Sequence, residues 1–350
     1  MQNQRIKNIF YFDHYGLPIF AQTLKRADIN FIGLNHGQPD DEVDAILADA
    51  HAYQVTSGVN DVPADFLVTE QLLERTPSLL LVSTIGAGYD TVDIAACTAR
   101  GILVVNQSGG GNAQAVAEHM LGMMLCLSKR IIDADRNMRR QANVVRGKFT
   151  GRNALEKTVG IIGFGNIGQR LAAMCQSALK MRVLIHTNHQ SHAGISQYGY
   201  EKTDLKKLLS ESDFVAVCCA LNDDTRNLID AREFALMQPH AYFITAARGG
   251  IHNEAALTAA LQEGRIAGAG VDVWDQEPPP LSHPLLQMDN VIATPHIGGA
   301  TVESRIQASQ NAALQILDTL DGQRPPRLLN PQAWPLYCER FQKILGVRPG

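Results

Sequence analysis

Nine short runs in this chain are apolar throughout rather than in alternate positions. They are NIFYFD (8–13), LLLVSTI (79–85), ILVVNQ (102–107), TVGIIG (158–163), RVLIH (182–186), FVAVCCA (214–220), AYFIT (241–245), IAGAGVDV (266–273) and NVIAT (290–294). A strand with one wet face alternates apolar and polar residues. A strand apolar at every position is buried on both faces, which is the signature of a parallel sheet covered by helices. Helical stretches separate most of the runs, and two long ones are expected over 113–140 and 301–320. The class is therefore α/β with parallel sheets. At 350 residues the chain exceeds one core of ~150 residues, so two domains are expected. The six runs from 158 to 294 make one βαβ set, and the helix at 301–320 is placed to return to the earlier strands. This predicts a discontinuous domain of residues 1–105 with 300–350, and a second domain of residues 106–299.

Composition narrows the partners. The formal net charge is −4, from 31 basic and 35 acidic residues, so nucleic acid and membrane surfaces are not expected partners. No apolar run approaches the ~20 residues of a membrane span, and the N-terminus lacks a secretory h-region. The cysteines Cys97, Cys126, Cys175, Cys218, Cys219 and Cys338 form no CxxC pair. Most lie in apolar runs, where a thiol behaves as a small hydrophobe, which suits a reducing cytoplasm. Eight Lys or Arg between Lys129 and Arg152 read as a solvated helix face. His186, His189 and His192 invite a metal reading, but no cysteine or nearby acid joins them, so no metal site is expected.

The run GIIGFGNIG (160–168) carries G-x-G-x-x-G at Gly163, Gly165 and Gly168. The spacing alone is weak. It gains force here because an apolar strand precedes it and the amphipathic NIGQRLAAMCQSAL follows. In that setting Gly163 permits a tight turn and Gly165 lets a pyrophosphate approach the backbone. Gly168 lets helix and strand pack closely, and the N–H groups at Asn166 and Ile167 face the anion. The competing account is a ligand-free strand–helix turn. About twenty residues on, such units carry an acid for the ribose, but this chain has Thr187, Asn188 and His189 there.

The motifs GAGYDTVD (86–93), VAEH (116–119), TVGIIGFGNIG (158–168), AARGGI (246–251), GVDVWDQEPP (270–279) and TPHIGGAT (294–301) recur in order and spacing across nearly the whole chain. In these the chain resembles the D-isomer-specific 2-hydroxyacid dehydrogenases. The resemblance implies two Rossmann-like domains with an active site in the cleft between them, and a homodimer. It implies that Arg248 binds the substrate carboxylate and orients the keto oxygen, through a fork suited to bidentate pairing. It makes His296 the acid that protonates the developing alkoxide, with the charge of Glu277 favouring the imidazolium. Asp272 would hold the nicotinamide carboxamide; the plainer alternative is an aspartate capping a strand end. Backbone N–H groups at Ala87 and Gly88 would bind the substrate carboxylate, although a plain glycine turn has the same composition. Two departures stand out: Thr245 replaces an asparagine, and NQSGGGN (106–112) is a residue longer than the usual loop and lacks its proline.

The missing ribose acid favours NADP(H), with NAD(H) possible. An acid both binds the ribose and repels a 2′-phosphate, whereas Thr187, Asn188, His189 and Gln190 donate hydrogen bonds to phosphate. No arginine stands in the turn. The expected activity is reduction of a small 2-keto acid, such as glyoxylate or hydroxypyruvate, to a D-2-hydroxy acid. The alternative is a nucleotide-sensing, corepressor-like protein of the same fold with little turnover. The tail PQAWPLYCERF (331–341) carries more apolar surface than a free tail exposes, so it is expected to pack on the fold or on a second copy.

Overall fold

The computed structural model describes residues 5–107, 111–140 and 142–350. The chain divides into two compact units, one of residues up to Asn112 with Thr301–Gly350, the other Ala113–Ala300.

The first unit holds strands β1 (Lys7–Phe12), β2 (Ile29–Leu34), β3 (Ala50–Val55), β4 (Leu81–Thr84) and β5 (Leu103–Val105). They form one parallel sheet in the order β2-β1-β3-β4-β5. Every residue of β3, β4 and β5 is buried, as the continuous apolar runs of β4 and β5 require. One face carries Ile9, Ala52, Leu81 and Leu103, covered by Ala312, Ala313, Ile316 and Leu320 of the helix Val302–Leu320. The other carries Phe10, Tyr53, Val82 and Val104, with the Phe10 and Tyr53 rings stacked at 4.2 Å. The tail forms a helix, Trp334–Leu345, whose Tyr337 and Phe341 enter the first of these cores. It therefore packs on the fold. Tyr337 Oη donates to Thr319 O at 2.5 Å, and Arg340 reaches Leu79 O at 2.8 Å and Pro77 O at 2.6 Å.

The second unit holds β6 (Thr158–Ile162), β7 (Arg182–His186), β8 (Glu201–Lys202), β9 (Phe214–Val217), β10 (Tyr242–Thr245), β11 (Gly268–Val271) and β12 (Val291–Ala293). They pair in parallel in the order β12-β11-β10-β9-β6-β7-β8. Strand order reverses at β6, and ligands in open α/β sheets bind at the carboxyl ends of strands beside such a reversal.

All nine apolar runs are strands, but β2, β3 and β8 were not anticipated. In β3 the polar His51 and Gln54 interrupt the apolar pattern, yet both are buried. The single helix expected over 113–140 is two, Asn112–Lys129 and Ile131–Arg140, broken at Arg130 with φ 54. The cause is tertiary. Ser128 O accepts from Arg152 N at 2.7 Å, and only glycine at 151 admits that approach, since a Cβ there would lie 2.4 Å from Ser128 O. Of the loop 106–112, residues 108–110 lie outside the described residues. Among the described residues no helix is long and apolar enough to cross a membrane.

Candidate active site

The three glycines of the turn after β6 differ in what surrounds them. Gly163 has φ +97, and a Cβ on it would lie 2.5 Å from Cys219 N. At Gly168 a Cβ would lie 2.3 Å from Gly163 O, so glycine alone lets the helix Asn166–Leu179 sit this close to the turn. A Cβ at Gly165 would meet nothing within 4 Å. That glycine is the N-cap of the helix, and no side chain caps the N–H groups behind it. Open space over uncapped N–H groups at the positive end of a 14-residue helix fits a pyrophosphate.

Thr187 follows the end of β7 and is buried, and its hydroxyl accepts from His189 N at 3.3 Å. Asn188 and His189 are exposed. Gln190 reaches back to Phe164 O at 3.5 Å, joining this turn to the glycine turn. A cation reaches this turn from the neighbouring strand. Lys202 lies opposite Ile185 in the β7–β8 pairing, and its ammonium donates to Gln190 O at 2.5 Å.

At the carboxyl ends of β10, β11 and β12 the side chains converge. His296 Nδ1 lies 2.8 Å from Glu277 Oε2. The other oxygen, Glu277 Oε1, accepts from Trp274 N at 3.1 Å. Burial pushes the Glu277 carboxyl up, but hydrogen bonds from His296 and Trp274 N–H, with the charges of His296 and Arg248, hold it below the ordinary carboxylate value. Arg248 is half-buried beside this pair, and its Nη1 donates to its own neighbour Ala247 O at 2.7 Å. Gly249 has to be glycine, because a Cβ there would lie 2.1 Å from Trp274 O.

Asp272 organises the loop that presents His296. Its carboxylate is 1% exposed. Oδ1 accepts from the Thr294 hydroxyl at 2.6 Å and Ile297 N at 2.9 Å, and Oδ2 from Gly298 N at 2.8 Å. Its carbonyl accepts from His296 N at 2.8 Å. These bonds hold His296 at φ 54, a left-handed conformation that costs a side-chain-bearing residue energy and persists only where its surroundings impose it. His119, in VAEH, was given no role from sequence; its Nε2 lies 3.2 Å from Thr294 Oγ1 and 3.6 Å from Asp272 Oδ1. Thr245 is buried, and its hydroxyl has no partner among the described residues. Also among the described residues, no group of three His, Cys, Asp or Glu could hold a metal ion.

In the first unit, Ala87 and Gly88 lie in the loop after β4. Ala87 O accepts from Asn106 Nδ2 at 2.7 Å, and Gly86 O from Gln107 N at 2.9 Å.

Beyond the Arg248 turn, His252 is fully buried, and neither ring nitrogen has a partner among the described residues. Burial pushes it down to about 4, against the opposing charge of Asp275. The folded state therefore holds the ring neutral. An unfolded histidine protonates near ~6.5, so this contribution to stability is complete above that pH and is lost as pH falls toward 4. The loss amounts to roughly 3 kcal/mol at full extent. His252→Leu is expected to flatten the decline in thermal stability between pH 6.5 and 4. Parallel declines in melting temperature for the two proteins would refute this.

The family model described as "D-isomer specific 2-hydroxyacid dehydrogenase, NAD binding domain" matches residues 121–298. Glyoxylate/hydroxypyruvate reductase B of Salmonella gallinarum is 37% identical over 285 residues, 81% of this chain and 88% of that protein. The TT0316 protein of Thermus thermophilus superposes with a TM-score of 0.80 at 26% identity, over 92% of this chain and 99% of that one. D-lactate dehydrogenase of Aquifex aeolicus, solved with NAD and lactic acid, superposes with a TM-score of 0.77 at 26% identity, over 92% and 99%.

Proposed function

Because this chain belongs to the D-isomer-specific 2-hydroxyacid dehydrogenases, we propose that its substrates are small 2-keto acids of the glyoxylate and hydroxypyruvate kind and that NADPH is its favoured donor. The protein is an oxidoreductase that reduces 2-keto acids to D-2-hydroxy acids with a reduced nicotinamide cofactor. The observation that carries the mechanism is the 2.8 Å contact of His296 with Glu277, with Arg248 beside it.

The bound nicotinamide supplies the hydride. The turn of Gly163, Gly165 and Gly168 holds the pyrophosphate against the N–H groups of Asn166 and Ile167. Thr187, Asn188 and His189 meet the adenosine ribose, and Asp272 the carboxamide. Ala87 and Gly88 N–H groups bind the substrate carboxylate; Arg248 pairs with it and steadies the keto oxygen. His296 is tied through Nδ1 to Glu277, so Nε2 is the atom that delivers the proton to that oxygen.

Two observations support NADPH. No carboxylate stands at position 187 to repel a 2′-phosphate, and the ammonium of Lys202 sits on the carbonyl of Gln190 in the same turn. Accordingly, kcat/KM with NADPH should at least equal that with NADH for one keto acid. Thr187→Asp should move the preference toward NADH by restoring ribose contacts and repulsion. A wild-type preference for NADH of about tenfold, a difference of about 1.4 kcal/mol, would overturn the assignment. A panel of 2-keto acids tested with both cofactors measures substrate and donor together. Sedimentation of the same preparation tests the homodimer, which the exposed Ile131 and Met138 support: their helix, Ile131–Arg140, buries no residue within the chain. The six free thiols support a cytoplasmic setting.

A further inference from the structure

The loop Ile85–Asp90 is held almost entirely by its carbonyls and its base. Gly86 O accepts from Gln107 N at 2.9 Å and from Thr84 Oγ1 at 3.1 Å. Ala87 O accepts from Asn106 Nδ2 at 2.7 Å. Gly86 N donates to Ser57 Oγ at 2.9 Å. The N–H groups of Ala87 and Gly88 donate to nothing among the described residues. Two of the loop's carbonyls, those of Gly86 and Ala87, are thus bonded from beneath, and the adjacent N–H groups of Ala87 and Gly88 are left for a ligand.

The residues beneath are themselves fixed by Gln315, which is 2% exposed on the helix Val302–Leu320. Gln315 Oε1 accepts from Arg327 N at 3.1 Å. Its Nε2 donates to Asn106 O at 3.1 Å and to Gln107 Oε1 at 3.3 Å. Gln107 Nε2 then donates to Thr84 O at 3.3 Å. Backbone groups stand at both ends of this relay. Arg327 N can only donate, and the carbonyls of Asn106 and Thr84 can only accept, so the orientation of each amide is determined. Such a buried, fully oriented network specifies one arrangement of the chain around it. A leucine or methionine at 315 would pack in the same place, so apolar packing does not explain a glutamine there.

We infer that Gln315, acting through Gln107 and Asn106, is a positioning residue for the substrate carboxylate. It fixes the height and tilt of the Ala87 and Gly88 N–H groups without touching the substrate. The inference rests on the proposed assignment of that loop to the carboxylate.

The test uses Gln107→Met, Gln315→Met, their double variant and Ala87→Pro in the full-length protein. The readouts are KM and kcat for glyoxylate, Kd for NADPH from nicotinamide fluorescence without substrate, and melting temperature. Gln107→Met and Gln315→Met should each raise KM about tenfold, the scale of one hydrogen bond to a charged group. kcat and the NADPH Kd should stay within about a factor of three, near the noise of one weak contact. The double variant should be no worse than the worse single, because both break one relay. A role confined to folding would lower the melting temperature without separating KM from kcat. Should Gln315→Met fail to fold, Gln107→Met breaks the relay while sparing the bonds of Gln315 to Asn106 and Arg327. Unchanged KM in folded Gln107→Met, with KM raised in Ala87→Pro, would overturn the inference and leave the loop assignment standing. Unchanged KM in Ala87→Pro would instead overturn the loop assignment.

Discussion

Replacing His296 with alanine should lower kcat for reduction by about 10²–10⁴-fold, the usual contribution of a general acid. Negative charge develops on the keto oxygen as it is reduced and must be met in the transition state. Arg248 can stabilise that charge, but only the imidazolium can also deliver a proton. Cofactor affinity should survive, because the glycine turn after β6 is built from other residues. The partner of His296 gives a sharper comparison. Glu277 is held below the ordinary carboxylate range and stays ionised through neutral pH. The 2.8 Å contact fixes the ring through Nδ1 and leaves Nε2 for the substrate. Glu277→Gln should lower kcat by less than His296→Ala does, because the proton donor remains while its anionic partner is lost. A wild-type kcat in Glu277→Gln would dispose of the dyad.

Removing residues 331–350 should unfold the first unit or leave it molten. Tyr337 and Phe341 are at 0% and 1% exposure in the core that also contains Ile316 and Leu320. Truncating one large buried aromatic costs about 3–5 kcal/mol, and a whole domain is stable by only about 5–15 kcal/mol. The deletion also removes Arg340, which caps the carbonyls of Leu79 and Pro77 just before β4. Near-UV circular dichroism and the melting temperature report the result directly. A truncated protein that melts with the wild type and keeps its activity would show that this helix is dispensable.

The parts legible in the sequence are those written in consecutive residues. The nine apolar runs are strands, and at the turn after β6 glycine is sterically required at 163 and 168, while 165 leaves open space. Glu277 and His296 were paired from two separated motifs, and they lie in contact. What was missed depends on tertiary neighbours. The strand Ala50–Val55 hides among polar residues because burial, not composition, defines it. Lys202 lies fifteen positions from Thr187 and reaches the same turn only because β8 pairs with β7. The burial of Asp272 beneath the His296 loop was unreadable because its partners are the backbone N–H groups of Ile297 and Gly298, which carry no sequence signature. Gln315 meets Gln107 across 208 positions.

That first unit is split in the chain, and the split dictates an order of events during synthesis. Its five strands leave the ribosome first, but the helix that covers Ile9, Ala52, Leu81 and Leu103 begins only at Val302. The whole of Ala113–Ala300 is translated in between, which takes roughly 10–40 s at ordinary elongation rates. Throughout that interval this face of the nascent sheet has only Phe20 and Leu24, on and just after the short helix Pro18–Thr23, to cover it, and by its end the inserted unit has all seven of its strands. The later part of the polypeptide is therefore able to fold before the earlier part is complete. The waiting face is the surface on which a chaperone, or a wrongly paired neighbour on the same polysome, would act.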